Sequence, residues 1–136
     1  MSQPKYLKTG DTITIISTAR KISLEELTPA INVFKSWGLV VKFGKNLFQT
    51  HHQFAGTAEQ RIADLQEALD DSESKAIVCA RGGYGTVQLI DAIDFSTFEK
   101  NETLKIFEIL KELNPKYNDL RIVFIKKDII HIKNYD

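Results

Sequence analysis

Residues 81–85, Arg-Gly-Gly-Tyr-Gly, are the part of this sequence best suited to chemistry, because they place three glycines within four positions directly behind an arginine. Glycine adopts positive φ freely and lets backbone N–H groups approach a ligand closely. At the start of a helix such donors point at negative charge, whether phosphate, carboxylate or an oxyanion. Arg81 adds the option of a two-pronged contact with a carboxylate. The pattern is neither a dinucleotide fingerprint nor a Walker loop. A tight structural turn explains the same residues, so both readings stand at this point.

Other reactive types are few. The chain has one cysteine, Cys79, inside the apolar run KAIVCA. There it reads as a small buried hydrophobe rather than a nucleophile, which would need an electropositive, accessible setting. A single cysteine also excludes an internal disulfide. His51 and His52 are adjacent in a connecting loop, and in extended chain adjacent side chains point to opposite sides, so they do not read as a metal pair. His131 lies in IIHIK and reads as a strand position. No cofactor, no metal site and no catalytic residue is expected from these groups.

The elements that must position the glycine turn follow from periodicity. DTITIIS, from Asp11, is a β-branched strand. Ser23 and Glu26 form a capping box ahead of a helix with Leu24, Leu27, Ile31 and Phe34 on its apolar face, and Gly38 supplies the stop. LVVKF, from Leu39, is a second strand. After a long connection, Thr57 and Gln60 make a second capping box, with Ile62, Leu65 and Leu69 following on one side. KAIVCA is a third strand, apolar throughout, as a strand covered on both faces must be. TVQLIDAI reads as a helix starting just after the turn. The fold class is α/β, an open, mainly parallel sheet with helices on both faces, Rossmann- or flavodoxin-like in three layers. Ligands in such sheets sit beyond the carboxyl ends of the strands, which selects residues 17–20 and 81–85.

Composition narrows the classes. Lysine plus arginine equals aspartate plus glutamate, 18 against 18, so no overall field favours nucleic acid or an anionic membrane. The start lacks an apolar signal segment and no run reaches the ~18 residues of a membrane span, which makes a cytoplasmic location the default. From about Lys100 the character changes. ETLKIFEILKEL reads as an amphipathic helix with Leu104, Phe107, Leu110 and Leu113 on one face, NPKYNDL breaks it, and RIVFI and DIIHI read as strands.

Three blocks, PKYLKTGDTITIISTAR, FAGTAEQRIADLQEALDD and KAIVCARGGYGTVQLIDAIDF, resemble in order and spacing the N-terminal part of the LD-carboxypeptidases. These muramoyltetrapeptide carboxypeptidases form serine peptidase family S66. The resemblance covers roughly residues 4–100, about a third of a full-length member. It implies a cytoplasmic, metal-free enzyme of peptidoglycan recycling that cleaves the bond between an L-diamino acid and D-alanine in murein tetrapeptide. It also implies a Ser-Glu-His triad, with the serine on the turn after the next strand and the glutamate and histidine in a second domain. In that scheme Gly82, Gly83 and Tyr84, with Arg81, form the oxyanion and substrate pocket.

The chain departs from this pattern after DFSTFEKN. No serine follows Ser96, and RIVFI ends in Lys126-Lys127-Asp128 instead of a nucleophile turn. The expectation is therefore a family domain over residues 1–100 and an unrelated tail over 101–136 (a helix plus one or two strands), in a chain truncated, frameshifted or fused near residue 100. Such a chain retains the pocket without turnover. Its partner is a murein peptide, not nucleic acid or a membrane, and a homo-oligomer through the tail is an open option. The alternative is a non-catalytic α/β module that binds a small anionic or peptide ligand at Arg20 and residues 81–85.

Overall fold

The computed structural model describes residues 7–81, 84–86, 88–97, 105–109, 120–126 and 129–135. Strand β1 (Thr12–Ile16) leads through a loop to helix α1 (Leu24–Ser36), followed by β2 (Val40–Phe43), α2 (Ala58–Asp70) and β3 (Ser74–Cys79). β4 (Lys105–Ile109), β5 (Leu120–Lys126) and β6 (Ile129–Tyr135) extend the sheet, whose order is β2-β1-β3-β4-β5-β6. The pairs β1–β2, β1–β3 and β3–β4 are parallel, while β4–β5 and β5–β6 are antiparallel.

Local chemistry fixes both helices as expected. The Glu26 N–H donates to Ser23 Oγ at 3.1 Å, and the Ser23 N–H donates to Glu26 Oε1 at 3.2 Å. The second box repeats this, from the Gln60 N–H to Thr57 Oγ1 at 3.2 Å and from the Thr57 N–H to Gln60 Oε1 at 3.0 Å. Each box satisfies two donors that a helix start otherwise leaves open. At the end of α1, Gly38 has φ +78° and its N–H reaches the Lys35 carbonyl, while the Leu39 N–H reaches that of Phe34. This is the Schellman pattern, and it turns the chain directly into β2.

Helices cover both faces of the sheet. Side chains alternate along a strand, so Ile13, Ile15, Ala76, Val78 and Ala80 pack with Leu27, Ala30, Ile31 and Phe34 of α1. Ile16, Ile77 and Cys79 pack with Leu65, Ala68 and Leu69 of α2. Cys79 is thus a buried packing residue.

Two expectations need correction. The single helix over TVQLIDAI is replaced by two three-residue 3-10 turns, Tyr84–Thr86 and Ile90–Ala92. Bonds of the i→i+3 type, Leu89 to Thr86 and Ala92 to Leu89, close this stretch. Leu89 is fully buried, so packing onto the sheet, rather than helical periodicity, sets the path. The helix expected over ETLKIFEILKEL is also absent where the chain is described, because Lys105–Ile109 is strand β4, parallel to β3. A short apolar run fits either period. The open edge of β3 needed a partner, and this tertiary demand overrode local propensity. The strands expected at RIVFI and DIIHI form as β5 and β6. The expected break at NPKYNDL lies outside the described residues, apart from Leu120.

Candidate functional site

The strand order places one crevice above the others as a binding position. The connection from β1 leads to β2 on one side, and the next strand, β3, returns on the other side of β1. Where successive connections diverge in this way, the loops at the carboxyl ends of the two strands separate and leave room for a ligand. The strands are β1 and β3, in register from Ile16 to Cys79, and the Ala80 N–H donates to the Ile16 carbonyl at 2.7 Å. Residues 17–20 and Arg81 therefore leave the sheet side by side, at the carboxyl ends of β1 and β3.

Specific contacts tie the loops together. Thr18 Oγ1 and Thr86 Oγ1 are hydrogen-bonded at 2.7 Å. The Arg61 side chain, reaching in from the first turns of α2, donates through one terminal nitrogen to the Thr18 carbonyl at 3.0 Å and the Gly85 carbonyl at 3.3 Å. Its guanidinium carbon lies 4.5 Å from the centre of the Phe54 ring, a cation–π distance. Arg61 is 3% exposed, and burial lowers its pKa from the usual value. Gly85 fits closely here, since a Cβ would lie 2.6 Å from the same Arg61 nitrogen and 3.0 Å from Ala19 Cα. Loop 17–20 is further held by the Ser17 hydroxyl on the Arg20 carbonyl and by the Ala55 N–H on the Ala19 carbonyl.

Arg81 leaves β3 and forms an ion pair with Glu26, the capping-box carboxylate of α1. Hydrogen bonds from Ser23, together with Arg81, hold the Glu26 pKa below the usual carboxylate range. The guanidinium that the sequence offers to a substrate carboxylate is thus already matched with one. An open cleft of about 490 Å³ adjoins this pair, lined by Lys21, Ile22, Ser23, Leu24, Glu26, Phe48 and Thr50. Gly82 and Gly83 lie outside the described residues. Tyr84 begins the first 3-10 turn. Arg20 is exposed and bridges to Phe54 through its backbone.

The histidine pair departs from expectation. His51 and His52 do not point to opposite sides, since their rings meet edge to face at 4.6 Å between centroids. The cause is a tight turn in which His51 and Phe54 exchange both backbone hydrogen bonds and His52 takes φ +55°. The opposite-sides rule holds only for extended chain. Among the described residues no three His, Cys, Asp or Glu side chains cluster as metal ligands. His131 occupies a strand position in β6, opposite Phe124 of β5.

Sequence reasoning missed Arg61, Thr18 and Thr86, along with a second buried polar contact. Asp64 is 4% exposed and accepts from the Asn46 backbone N–H and side-chain amide, each at 2.9 Å. The available signal was a charged residue on a buried stripe, because Arg61 and Asp64 share the face of α2 that carries Leu65, Ala68 and Leu69.

Comparison with known proteins agrees with this architecture. The chain is 41% identical over 105 residues to the probable murein peptide carboxypeptidase of Bacillus subtilis, covering 77% of this chain and 32% of that protein. It is 30% identical over 87 residues to the murein tetrapeptide carboxypeptidase of Pseudomonas aeruginosa, covering 64% of this chain and 28% of that one. The solved muramoyltetrapeptide carboxypeptidase from Oxalobacter formigenes matches with TM-score 0.61 and 29% identity, over 70% of this chain and 31% of that chain. The microcin C7 self immunity protein MccF matches with TM-score 0.70 at 18% identity, over 78% of this chain and 32% of that chain, a likeness of fold. The chain spans about a third of the curated relatives it matches. The peptidase S66 model, described as the LD-carboxypeptidase N-terminal domain, matches residues 13–107. The chain belongs to the S66 LD-carboxypeptidase family and carries that family's N-terminal domain.

Proposed function

We propose that this chain is the substrate-side half of an LD-carboxypeptidase acting on murein tetrapeptide in cytoplasmic peptidoglycan recycling, and that alone it does not turn over. The observation that carries the reading is the placement of Arg81, Gly85 and Thr86, which flank Gly82 and Gly83 in sequence. Arg81 follows β3 at the β1/β3 divergence, and Gly85 and Thr86 are tied to loop 17–20 through Arg61 and Thr18. In this reading the amides of Gly82 and Gly83 take the oxyanion, and Tyr84 and Arg81 contact the peptide. Acyl transfer also needs a nucleophile and a base to take its proton. Neither stands in this chain at a position matching the family, so the serine turn and the Glu/His domain must be added for hydrolysis.

The alternative is a non-catalytic module binding a small anion or peptide at the same turn. β5 and β6 favour it, because they continue the sheet beyond β4 with their own antiparallel pairings. The test is D-alanine release from murein tetrapeptide by this chain and by a version fused to the remaining two-thirds of a relative. Turnover by the fusion alone supports the proposal. Peptide binding by the chain, with no turnover by either, supports the module.

A further inference from the structure

The open cleft beside Glu26 lies between chain leaving β1 and chain leaving β2. Residues 21–24 with Glu26 form one wall, and Phe48 with Thr50 forms the other. Both walls are fixed. Loop 44–50 is anchored where buried Asp64 accepts from the backbone and side chain of Asn46, Leu47 is buried, and the Phe48 ring meets Phe43 edge to face at 5.6 Å. The opposite wall carries the capping box and the Arg81–Glu26 pair. Yet Leu24 is 53% exposed and Phe48 40%, two large apolar side chains left open to solvent in a cleft of about 490 Å³. A preformed apolar cleft of this size with a few polar groups suits a ligand.

Position and charge select the occupant. β2 and β3 flank β1, so the carboxyl end of β2 lies two strand spacings, about 10 Å, from that of β3. One residue spans at most about 3.5 Å. In the carboxypeptidase reading, on which this inference rests, the reacting bond lies beyond β3 and a single residue leaves. That residue is too short to reach the cleft. The rest of the tetrapeptide, about 10 Å long when extended, covers the distance and brings its amino end there. Lys21 has no ion pair among the described residues, and the charge of Glu26 is met by Arg81, so the lining is positive on balance. A free ammonium is repelled by such a lining. An acylated amino end is uncharged, and its apolar part can lie on Ile22, Leu24 and Phe48 with its amide beside Thr50. We propose that this cleft is the subsite for the acylated amino end of the peptide, and that it makes the site prefer blocked peptides over those with a free ammonium.

The test titrates the full chain, isotopically labelled, with murein tetrapeptide and with the same peptide acetylated only on its amino-terminal nitrogen. Amide shifts in nuclear magnetic resonance report both affinity and place, and they read weak binding. The acetylated peptide should bind about fivefold more tightly, through added apolar contact and the loss of repulsion. It should move the amides of Lys21, Leu24 and Thr50. Lys21→Glu should abolish the preference by strengthening the free peptide, and Phe48→Ser should abolish it by weakening the acetylated one. Both positions are exposed, so the fold should persist. Should Phe48→Ser not fold, Leu24→Ser takes its place on the other wall. Equal affinity for the two peptides in the unaltered chain, or a preference that survives either substitution, overturns the subsite and leaves the carboxypeptidase reading standing. Binding of neither peptide sinks that reading and the subsite with it.

Discussion

Thr18 and Thr86 share a hydrogen bond of 2.7 Å between side-chain oxygens 68 residues apart in sequence. Thr18 is buried at 2% exposure, so removing its partner leaves a hydroxyl with no access to water. Thr86→Val should therefore cost about 1–3 kcal/mol in urea denaturation, as for other orphaned buried hydroxyls. Thr18→Val with Thr86→Val should cost clearly less than the sum of the single changes, because both delete the same bond. Simple additivity would show that the loops are not joined here.

Gly85→Ala tests the close approach of Arg61. The added carbon would sit 2.6 Å from a guanidinium nitrogen, 3.0 Å from Ala19 Cα and 3.1 Å from a Phe54 ring carbon. The arginine can give way, but the backbone atom cannot. Overpacking of this kind costs about 1–3 kcal/mol. A variant as stable as the parent would mean that loop 17–20 moves freely against the turn.

The pH response should carry two opposite signatures. Burial raises the Asp64 pKa, and the Asn46 donors only partly oppose this. The folded chain then takes up that proton at higher pH than the unfolded chain, so Asp64's contribution to stability grows as pH falls, levelling off below about 3.9. Asp71 is lowered, first by its hydrogen bond from Lys42 at 2.8 Å. Its contribution is present above about pH 3.9 and is lost as pH falls through the folded value. From pH 7 to pH 4 the parent should gain stability relative to Asp64→Asn. Relative to Asp71→Asn it should lose stability as the pH falls further. Parallel curves for either variant would contradict the assigned direction.

What the sequence made legible were features whose signals are local. The capping boxes at Ser23 and Thr57, the stop at Gly38 and the apolar run of β3 each depend on residues within a few positions of one another. Together they determined the parallel core, and with it the position of Arg81 at the end of β3. The features that were not legible depend on partners far away in sequence. Lys105–Ile109 has a helical pattern of its own, yet it pairs with β3 because that edge was open. His51 and His52 are extended by default, and a turn closed by Phe54 brings their rings together. Arg61 carries no local mark of its role, because the Thr18 and Gly85 carbonyls it serves lie 43 and 24 residues away in sequence.

Arg81 and Glu26 give the last prediction. The sequence offers Arg81 to a substrate carboxylate, and the fold pairs it with Glu26, whose pKa the Ser23 hydrogen bonds and Arg81 hold below the usual carboxylate range. A peptide carboxylate that engages Arg81 must compete with this resident carboxylate. Glu26→Gln removes the competing charge while glutamine at the same position still closes the capping box, so α1 should keep its start. If Arg81 is part of the substrate pocket, Glu26→Gln should bind murein tetrapeptide several-fold more tightly, with the gain shrinking at high salt as exposed charges are screened. The C-terminal amide of the peptide should show no gain, and Arg81→Ala should remove the difference between the two. Calorimetric titration at two salt concentrations measures all of this. Unchanged affinity in Glu26→Gln, with α1 intact by circular dichroism, would assign the Arg81–Glu26 pair to holding α1 against β3 and would take Arg81 out of the pocket.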